Sequence, residues 1–261
     1  MRATRPPVAL LIPAVLGLAF LVLPLVGLLV NVPWRTLPER LTEPGILDAL
    51  RLSLECATLA MLACLFFGVP IAWLLARVEF RGRRFIRALV TVPLVLPPVV
   101  GGVALLLVFG RFGLVGKYLD SAFGLTSPFT TAAVVVAETF VAMPFLIIAV
   151  EGALRGADAR YEEAAATLGA GRWGTFVHVT VPLIGPGIAA GAVLCWARAL
   201  GEFGATITFA GNYPGRTQTM PLAVYLALET DLDAAVVLSL LLLVVSVAIL
   251  VSLRDKWLTS P

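Results

Sequence analysis

Six apolar runs, separated by short polar segments, divide the chain. They cover residues 8–30, 52–76, 85–109, 131–150, 186–209 and 234–253. Each is close to or above the ~20 residues with which a helix crosses the hydrocarbon core of a bilayer. Inside lipid a spanning segment must satisfy its own backbone groups, so each run predicts a transmembrane helix. The expected fold class is an all-α membrane protein with six transmembrane helices. The first run follows Arg2 and Arg5 and superficially has the layout of a secretory signal. It exceeds the roughly 7–15 apolar residues of a signal core and lacks a small-x-small cleavage site, so it reads as a retained first helix.

Composition agrees with the pattern. Hydrophobic residues make up 60% of the 261 residues and charged residues 13%, and the mean hydropathy is +0.99. A soluble domain carries about 45–50% apolar and about 25% charged residues. So few charges cannot cover a soluble surface, which leaves the membrane class. The net charge of +3 does not point to nucleic acid, because no basic stripe is interleaved with aromatics. The basic residues sit instead between apolar runs. With the N-terminus in the cytoplasm, twelve Lys and Arg fall on the inner side and six on the outer side, with Arg198 left in a span. The stretch "RVEFRGRR" is the strongest part of that bias. Both termini are therefore expected in the cytoplasm, with 254–261 a short tail.

The motifs exclude several chemistries. Cys56, Cys64 and Cys195 lie in apolar runs without a CxxC pair and read as buried small hydrophobes. His178 has no ligand-like neighbour at i±4, so no metal is expected. No GxxxxGK[ST] is present to cradle a nucleotide phosphate, and no HExxH or GxSxG suggests an intramembrane enzyme.

The third run contains "TVPLVLPPVVGGVALL". Pro93, Pro97, Pro98, Gly101 and Gly102 cannot share one regular helix without losing backbone hydrogen bonds. Two readings remain open here, a packing kink and a broken segment that faces protein or a pathway. The outer segment 210–233, rich in Gly, Pro, Thr and Asn, reads as a polar loop, either a partner surface or a plain connector.

Residues 156–187 are too polar to span and too patterned for a linker. Asp158 can cap a helix. Tyr161, Ala164, Ala165 and Leu168 then follow at i, i+3, i+4 and i+7 on one face. Gly169, Ala170 and Gly171 break it. A second short helix carries Trp173, Phe176 and Val177 on one face, with Pro182, Pro186 and Gly187 ending it. Apolar faces without lipid to cover them mark a docking surface. An amphipathic helix lying on the bilayer is the other reading, but the segment lacks a lysine-rich polar face.

This segment resembles the EAA loop of ABC importer permeases: Glu163-Ala164-Ala165, then Gly169, then Val179-Thr180-Val181-Pro182. Val179 and Val181 replace the usual Ile and Leu and stay apolar. The resemblance implies that Glu163, Ala164, Ala165, Gly169, Trp173, Phe176 and Pro182 fit a groove on a cytoplasmic ATPase subunit. "RALGEFGATITFAGN" followed by "GRTQTMPLAVY" looks like the molybdate branch of these permeases and, more loosely, the sulfate branch. The likeness runs from about residue 49 to 253. It implies residues 1–48 as a first helix and outer loop, and 49–253 as the permease domain with its coupling loop at 156–187.

Charges inside the spans are expensive and face the bundle interior or water. Arg198 and Glu202 are four apart, on one face of the expected fifth helix, and can pair. The pair reads as a structural or gating element rather than a substrate-binding arginine. Pro97, Pro98, Gly101, Glu138, Arg198, Gly201, Glu202 and Gly204 are the pathway or gate candidates. The small residues around Glu202 suggest a close helix contact, for which a two-fold axis is one place. Glu138 and Glu55 have no partner legible in the sequence.

The function expected is the permease subunit of an ATP-driven importer in a bacterial or archaeal cytoplasmic membrane. Molybdate is the expected cargo, with tungstate or sulfate as alternatives. A stand-alone secondary anion transporter is disfavoured, since the two halves of the chain show no similarity. The implied partners are a cytoplasmic ABC ATPase, an extracytoplasmic oxyanion-binding protein and a second copy of this chain. ATP and Mg belong to the ATPase subunit, and no cofactor is expected in this chain.

Overall fold

The computed structural model describes residues 8–124 and 128–258. Its regular structure is helical, with no strand among the described residues. In chain order the helices are α1 (Val8–Val30), α2 (Leu37–Leu41), α3 (Pro44–Arg77), α4 (Arg83–Val95), α5 (Pro98–Phe109), α6 (Gly116–Phe123) and α7 (Thr131–Gly156). Then come α8 (Arg160–Thr167), α9 (Arg172–Thr175), a π-helical turn (Phe176–Thr180), α10 (Val181–Leu200), α11 (Gly204–Phe209), α12 (Met220–Thr230) and α13 (Leu232–Leu258). Five helices are long and apolar enough to cross a membrane, and α4 with α5 brings the number to six if that bent pair is one span. Arg2, Arg5 and residues 259–261 of the expected tail lie outside the described residues.

The core is built from α3, α7 and α10. Ala57, Ala60, Cys64 and Ala72 of α3 meet Ala142, Leu146, Ile147 and Val150 of α7, with Ile184, Cys195 and Ala199 of α10 closing the cluster. The small side chains let the helix backbones approach, which is how packing drives helix association where lipid is as apolar as leucine. Trp196 Nε1 adds one polar tie by donating to Thr58 Oγ1 at 3.1 Å. At the other end of α3 its terminal carbonyls are capped by arginines. Arg83 donates to the carbonyls of Leu75 and Ala76, and Arg87 donates to Leu75 and to Glu151, the latter at 2.6 Å. Cations at a helix C-terminus satisfy orphan carbonyls and complement the dipole. Residues that serve as topology signals in the sequence thus also terminate a helix.

Three sequence expectations need correction. The fifth span is not 186–209. A helical rod runs from Arg172 to Leu200, stops at Gly201–Phe203, and resumes as the short α11. Pro182 therefore does not end a second short helix but sits in the first turn of α10. The preceding π turn allows this, because one wide turn accommodates a proline that lacks its N–H and crowds the turn behind it. Second, 210–233 is not only a loop. Residues 220–230 form α12, whose first N–H, on Met220, donates to Ser53 Oγ at 2.6 Å. Third, α13 runs through Leu258 rather than ending at 253.

The third span is broken more sharply than a kink. α4 and α5 diverge by 116° at Leu96–Pro97, where Pro97 caps α5 and Pro98 is its first residue. α5 then packs against α11. A Cβ on Gly102 would meet Thr208 Cβ at 2.7 Å and the Ala205 carbonyl at 2.8 Å, and one on Gly204 would meet Pro98 Cβ at 2.9 Å. The close small-residue contact expected near Glu202 is thus made within one chain, between the two segments that follow breaks.

α1 stands apart. None of its spanning window is buried, although α13 runs beside it. At the far end from the arginine caps, Arg40 holds the α12–α13 turn through Asp231 at 2.8 Å and Asp233 at 3.7 Å. That bond keeps the Asp231 carboxyl below its ordinary range and raises Arg40.

Candidate functional site

The segment after α7 forms a helix and a turn, as its pattern predicts, and then enters the rod that runs from Arg172 to Leu200. Asp158 Oδ1 accepts from the Arg160 N–H at 3.0 Å, although the cap position of α8 is Ala159 rather than the expected Asp158. The end of α8 is a Schellman motif. Gly169 adopts φ +86°, its N–H donates to the Ala166 carbonyl, and the Ala170 N–H donates to the Ala165 carbonyl, both at 3.0 Å. A positive φ in that position suits glycine because no Cβ meets the carbonyl.

Glu162 fixes the orientation of α8. Its Oε1 accepts from Arg77 at 3.0 Å and from Thr180 Oγ1 at 3.1 Å. One carboxylate thereby joins α8, the last residue of α3 and the π turn that opens α10. Both partners of the ion pair are mostly buried, with side chains 17% and 21% exposed. Neighbouring Glu163 and Ala164 are exposed, and Ala165 is half-buried.

Beyond this anchor several apolar side chains are left uncovered by the described residues. Tyr161, Leu168 and Trp173 are exposed, Leu168 by 88%. Phe176 is half-buried between Trp73 and Trp173, with ring centroids at 6.2 and 5.7 Å. Pro70, Trp73, Arg172, Trp173 and Phe176 line an open apolar recess of about 350 Å³. An exposed aromatic ridge beside an apolar recess is a candidate contact surface for a protein or membrane partner.

The second group of candidates lies at the α10–α11 break. Arg198 and Glu202 pair at 2.7 Å. They do not share a helix face, because Glu202 lies beyond the end of α10. The Glu202 Oε1 atom accepts from the Ala205 N–H at 2.8 Å and caps the first turn of α11. Glu202 is 1% exposed, whereas the Arg198 side chain is 28% exposed. Glu138, also 1% exposed, lies on α7 within electrostatic range of Glu202, and its Oε2 has no hydrogen-bond partner. Pro98 meets Gly204, and Gly101 faces Phe140, so the α5 candidates and the α11 candidates form one neighbourhood. Gly201 is more open, with only the Ala197 carbonyl at 3.7 Å from an added Cβ. Glu55, the other unassigned acid, pairs with Arg51 one turn away at 2.7 Å. Among the described residues no group of three or more His, Cys, Asp or Glu gathers as a metal site.

Residues 68–260 match the family described as "Binding-protein-dependent transport system inner membrane component". The chain belongs to this family. Relatives extend the match beyond that segment. The chain is 49% identical over 245 residues to the "Molybdenum transport system permease protein ModB" of Mycobacterium tuberculosis (strain ATCC 25618 / H37Rv), covering 94% of this chain and 92% of the relative. It is 43% identical over 218 residues to the protein of the same name in Escherichia coli (strain K12), covering 84% and 95%. The "Sulfate transport system permease protein CysT" of Escherichia coli (strain K12) is 35% identical over 238 residues, covering 90% and 86%. Among solved structures, a bacterial ABC transporter involved in the import of the acidic polysaccharide alginate superposes with a TM-score of 0.76 at 18% identity, covering 97% of this chain and 95% of that one.

The fold is therefore that of ABC importer permeases, and the chain is a multi-pass inner-membrane transport subunit rather than an enzyme. Two of the permease's residues, Glu162 and Arg77, escaped the sequence reading, and a third, Glu138, was named there without a partner. Glu162 and Arg77 are the anchor of the docking segment, yet Arg77 registers in the sequence only as a positive-inside charge. Glu138 lies in the part of α7 whose Ala137 and Val141 pack with Ala205 of α11, a neighbourhood that spacing along the chain does not reveal. The one local signal was the Glu162–Glu163 pair itself, of which one acid turns in and the other out.

Proposed function

We propose that this permease carries molybdate across the cytoplasmic membrane of a bacterium or archaeon, driven by a separate ABC ATPase that uses ATP and Mg. The observation that carries the cargo is the 49% and 43% identity, over most of the chain, to molybdenum transport permeases, against 35% to a sulfate permease. Tungstate and sulfate share the tetrahedral dianion chemistry and remain the competing cargoes. An extracytoplasmic binding protein delivers the oxyanion and sets much of the choice.

The docking segment at 156–187 is the seat of the ATPase. Glu163, Ala164 and Ala165 face the partner, Gly169 makes the turn, and Trp173 and Phe176 flank the recess, with Pro182 leading into α10. The reading is supported by the ridge of Tyr161, Leu168 and Trp173, which is exposed among the described residues. Two copies of the permease enclose the path. The unburied α1 and the single wall that six spans provide support a two-fold pair. The N- and C-termini lie in the cytoplasm by the distribution of Arg and Lys. Pro97, Pro98, Gly101, Gly201, Gly204, Arg198, Glu202 and Glu138 form the pathway wall or its gate.

The test is calorimetric. The binding protein that stimulates ATP hydrolysis by the reconstituted complex is titrated with molybdate, tungstate and sulfate. Tight molybdate binding with sulfate ignored is expected; tight sulfate binding with molybdate ignored overturns the assignment.

A further inference from the structure

Arginines 81, 83, 84 and 87 gather at the start of α4, and the fold treats them in two ways. Arg83 and Arg87 turn inward, to the last carbonyls of α3 and to Glu151. Arg81 and Arg84 are exposed. The acids built into this end are engaged elsewhere, Glu151 by Arg87 and Arg155 and Glu162 by Arg77. Among the described residues none forms an ion pair with Arg81 or Arg84, and the first turn of α4 contains no acid. The helix dipole favours an anion in that position and disfavours cations. A local rule broken without compensation inside the chain marks a functional position.

The rest of α4 repeats the division. Ile86 and Val90 pack on the core of α3, α7 and α10. Arg84, Phe85, Leu89, Val92 and Val95 share the opposite face and are exposed, Val95 by 85%. From Phe85 to Val95 the helix rises about 15 Å at 1.5 Å per residue. That is half of the ~30 Å hydrocarbon core. The chain then turns by 116° at Leu96–Pro97. The apolar stripe is therefore as long as one leaflet, with unpaired cations at one end of it.

From this match of length and charge we propose that α4 binds an anionic phospholipid, its phosphate at Arg81 and Arg84 and an acyl chain along Phe85, Leu89, Val92 and Val95. Its place in the cytoplasmic leaflet rests on the orientation proposed above. A second copy of this chain fits the stripe less well, because a two-fold contact along it would bring the unpaired arginines of both copies together. The ATPase lies outside the bilayer and cannot cover an apolar stripe that runs a leaflet deep. The lipid completes the counter-charge at the helix start that the chain itself omits.

The test is native mass spectrometry of the permease–ATPase complex in neutral detergent, titrated with phosphatidylglycerol and phosphatidylcholine of the same acyl chains. The wild type is expected to retain phosphatidylglycerol in preference to phosphatidylcholine. Replacing both Arg81→Gln and Arg84→Gln is expected to weaken phosphatidylglycerol retention about 25-fold, from roughly fivefold per arginine at an anionic surface. Arg81→Lys with Arg84→Lys keeps the charges and the preference. Arg216→Gln, at an exposed arginine between α11 and α12, should leave retention unchanged. No lipid preference in the wild type overturns the site, and so does an equal loss in Arg216→Gln, which would reduce the effect to net charge. A double glutamine variant that separates the permease copies or sheds the ATPase, with lipid retention intact, gives this face to a protein partner instead. If that variant fails to assemble, Arg81→Gln alone decides, fivefold weaker retention supporting the site and unchanged retention overturning it. Orientation is read separately, by labelling Arg81→Cys in membrane vesicles with an impermeant maleimide, since the native cysteines are buried. Labelling from the outer side overturns the orientation and leaves the lipid site standing.

Discussion

Glu162 and Arg77 meet at 3.0 Å across 85 residues of chain, and this ion pair joins the docking helix α8 to the end of the longest helix in the core. Thr180 shares the same carboxylate oxygen at 3.1 Å. A push on α8 therefore reaches both α3 and α10 through a single side chain. Replacing Glu162 by Gln weakens a charged hydrogen-bond network worth about 2 kcal/mol. The expected outcome is a complex that still assembles but transports less per ATP hydrolysed. The check is the ratio of radiolabelled anion accumulated to phosphate released in proteoliposomes.

Gly169 sets the angle between α8 and α9 through its φ of +86°. Alanine in that conformation costs roughly 1–2 kcal/mol. Proline, locked near −65°, cannot adopt it. Gly169→Pro is therefore expected to leave membrane insertion and yield unchanged but to abolish co-purification of the ATPase subunit, with Gly169→Ala intermediate. Charge reversal at the exposed Glu163, in Glu163→Arg, should have the same effect. Normal co-purification in the proline variant would remove α8 and α9 from the docking surface.

The contact of α5 with α11 predicts a contrast among glycines. A methyl group at Gly102 lands 2.8 Å from a backbone carbonyl that has no rotamer to escape into. Gly102→Ala is expected to destabilise the permease by about 1–3 kcal/mol, the usual cost of overpacking. Gly201→Ala, with only a carbonyl at 3.7 Å, should cost much less. Thermal unfolding of the two purified variants in detergent gives the comparison.

Asp231 supplies a pH dependence with a definite sign. Its hydrogen bond from Arg40 holds the folded-state carboxyl below its ordinary range. Such a group stabilises the fold at pH above the unfolded value of about 3.9, and the contribution fades as pH falls through the lower folded value. Across pH 5–8 the contribution is constant. Acid unfolding of Asp231→Asn is therefore expected to be less steep below about pH 4 than that of the wild type. Identical acid profiles would show that the Arg40 clamp adds nothing to stability.

Much of this architecture is legible along the chain. Run length marks the spans because the bilayer has one thickness and the helix one rise. Pro97 and Pro98 mark the α4–α5 break, because adjacent prolines disfavour the helical conformation before them and Pro98 suits the first position of α5, whereas Pro93 is carried within α4. Gly169, directly after the apolar face ends at Leu168, marks the turn because its φ of +86° suits a residue without a Cβ. The α10–α11 break left no such mark. Residues 186–209 are apolar on both sides of it, and hydropathy does not change where a helix stops if both flanks stay in the membrane. α12 was hidden in the opposite way, being too short for a span and flanked by turn residues.

The sequence by itself determined the class of protein, the apolar runs from which its spans are built, the turn at Gly169 and the presence of charges inside those runs. Those properties follow from local composition and spacing, which one dimension carries in full. Only the tertiary structure decided what the charges do to each other. It placed Glu162 on Arg77, ended α10 between Arg198 and Glu202, and packed the Glu138 turn of α7 against the first turn of α11. Each of these depends on helices distant in sequence closing to within a few ångströms, and the strength of a charge depends on what stands opposite it.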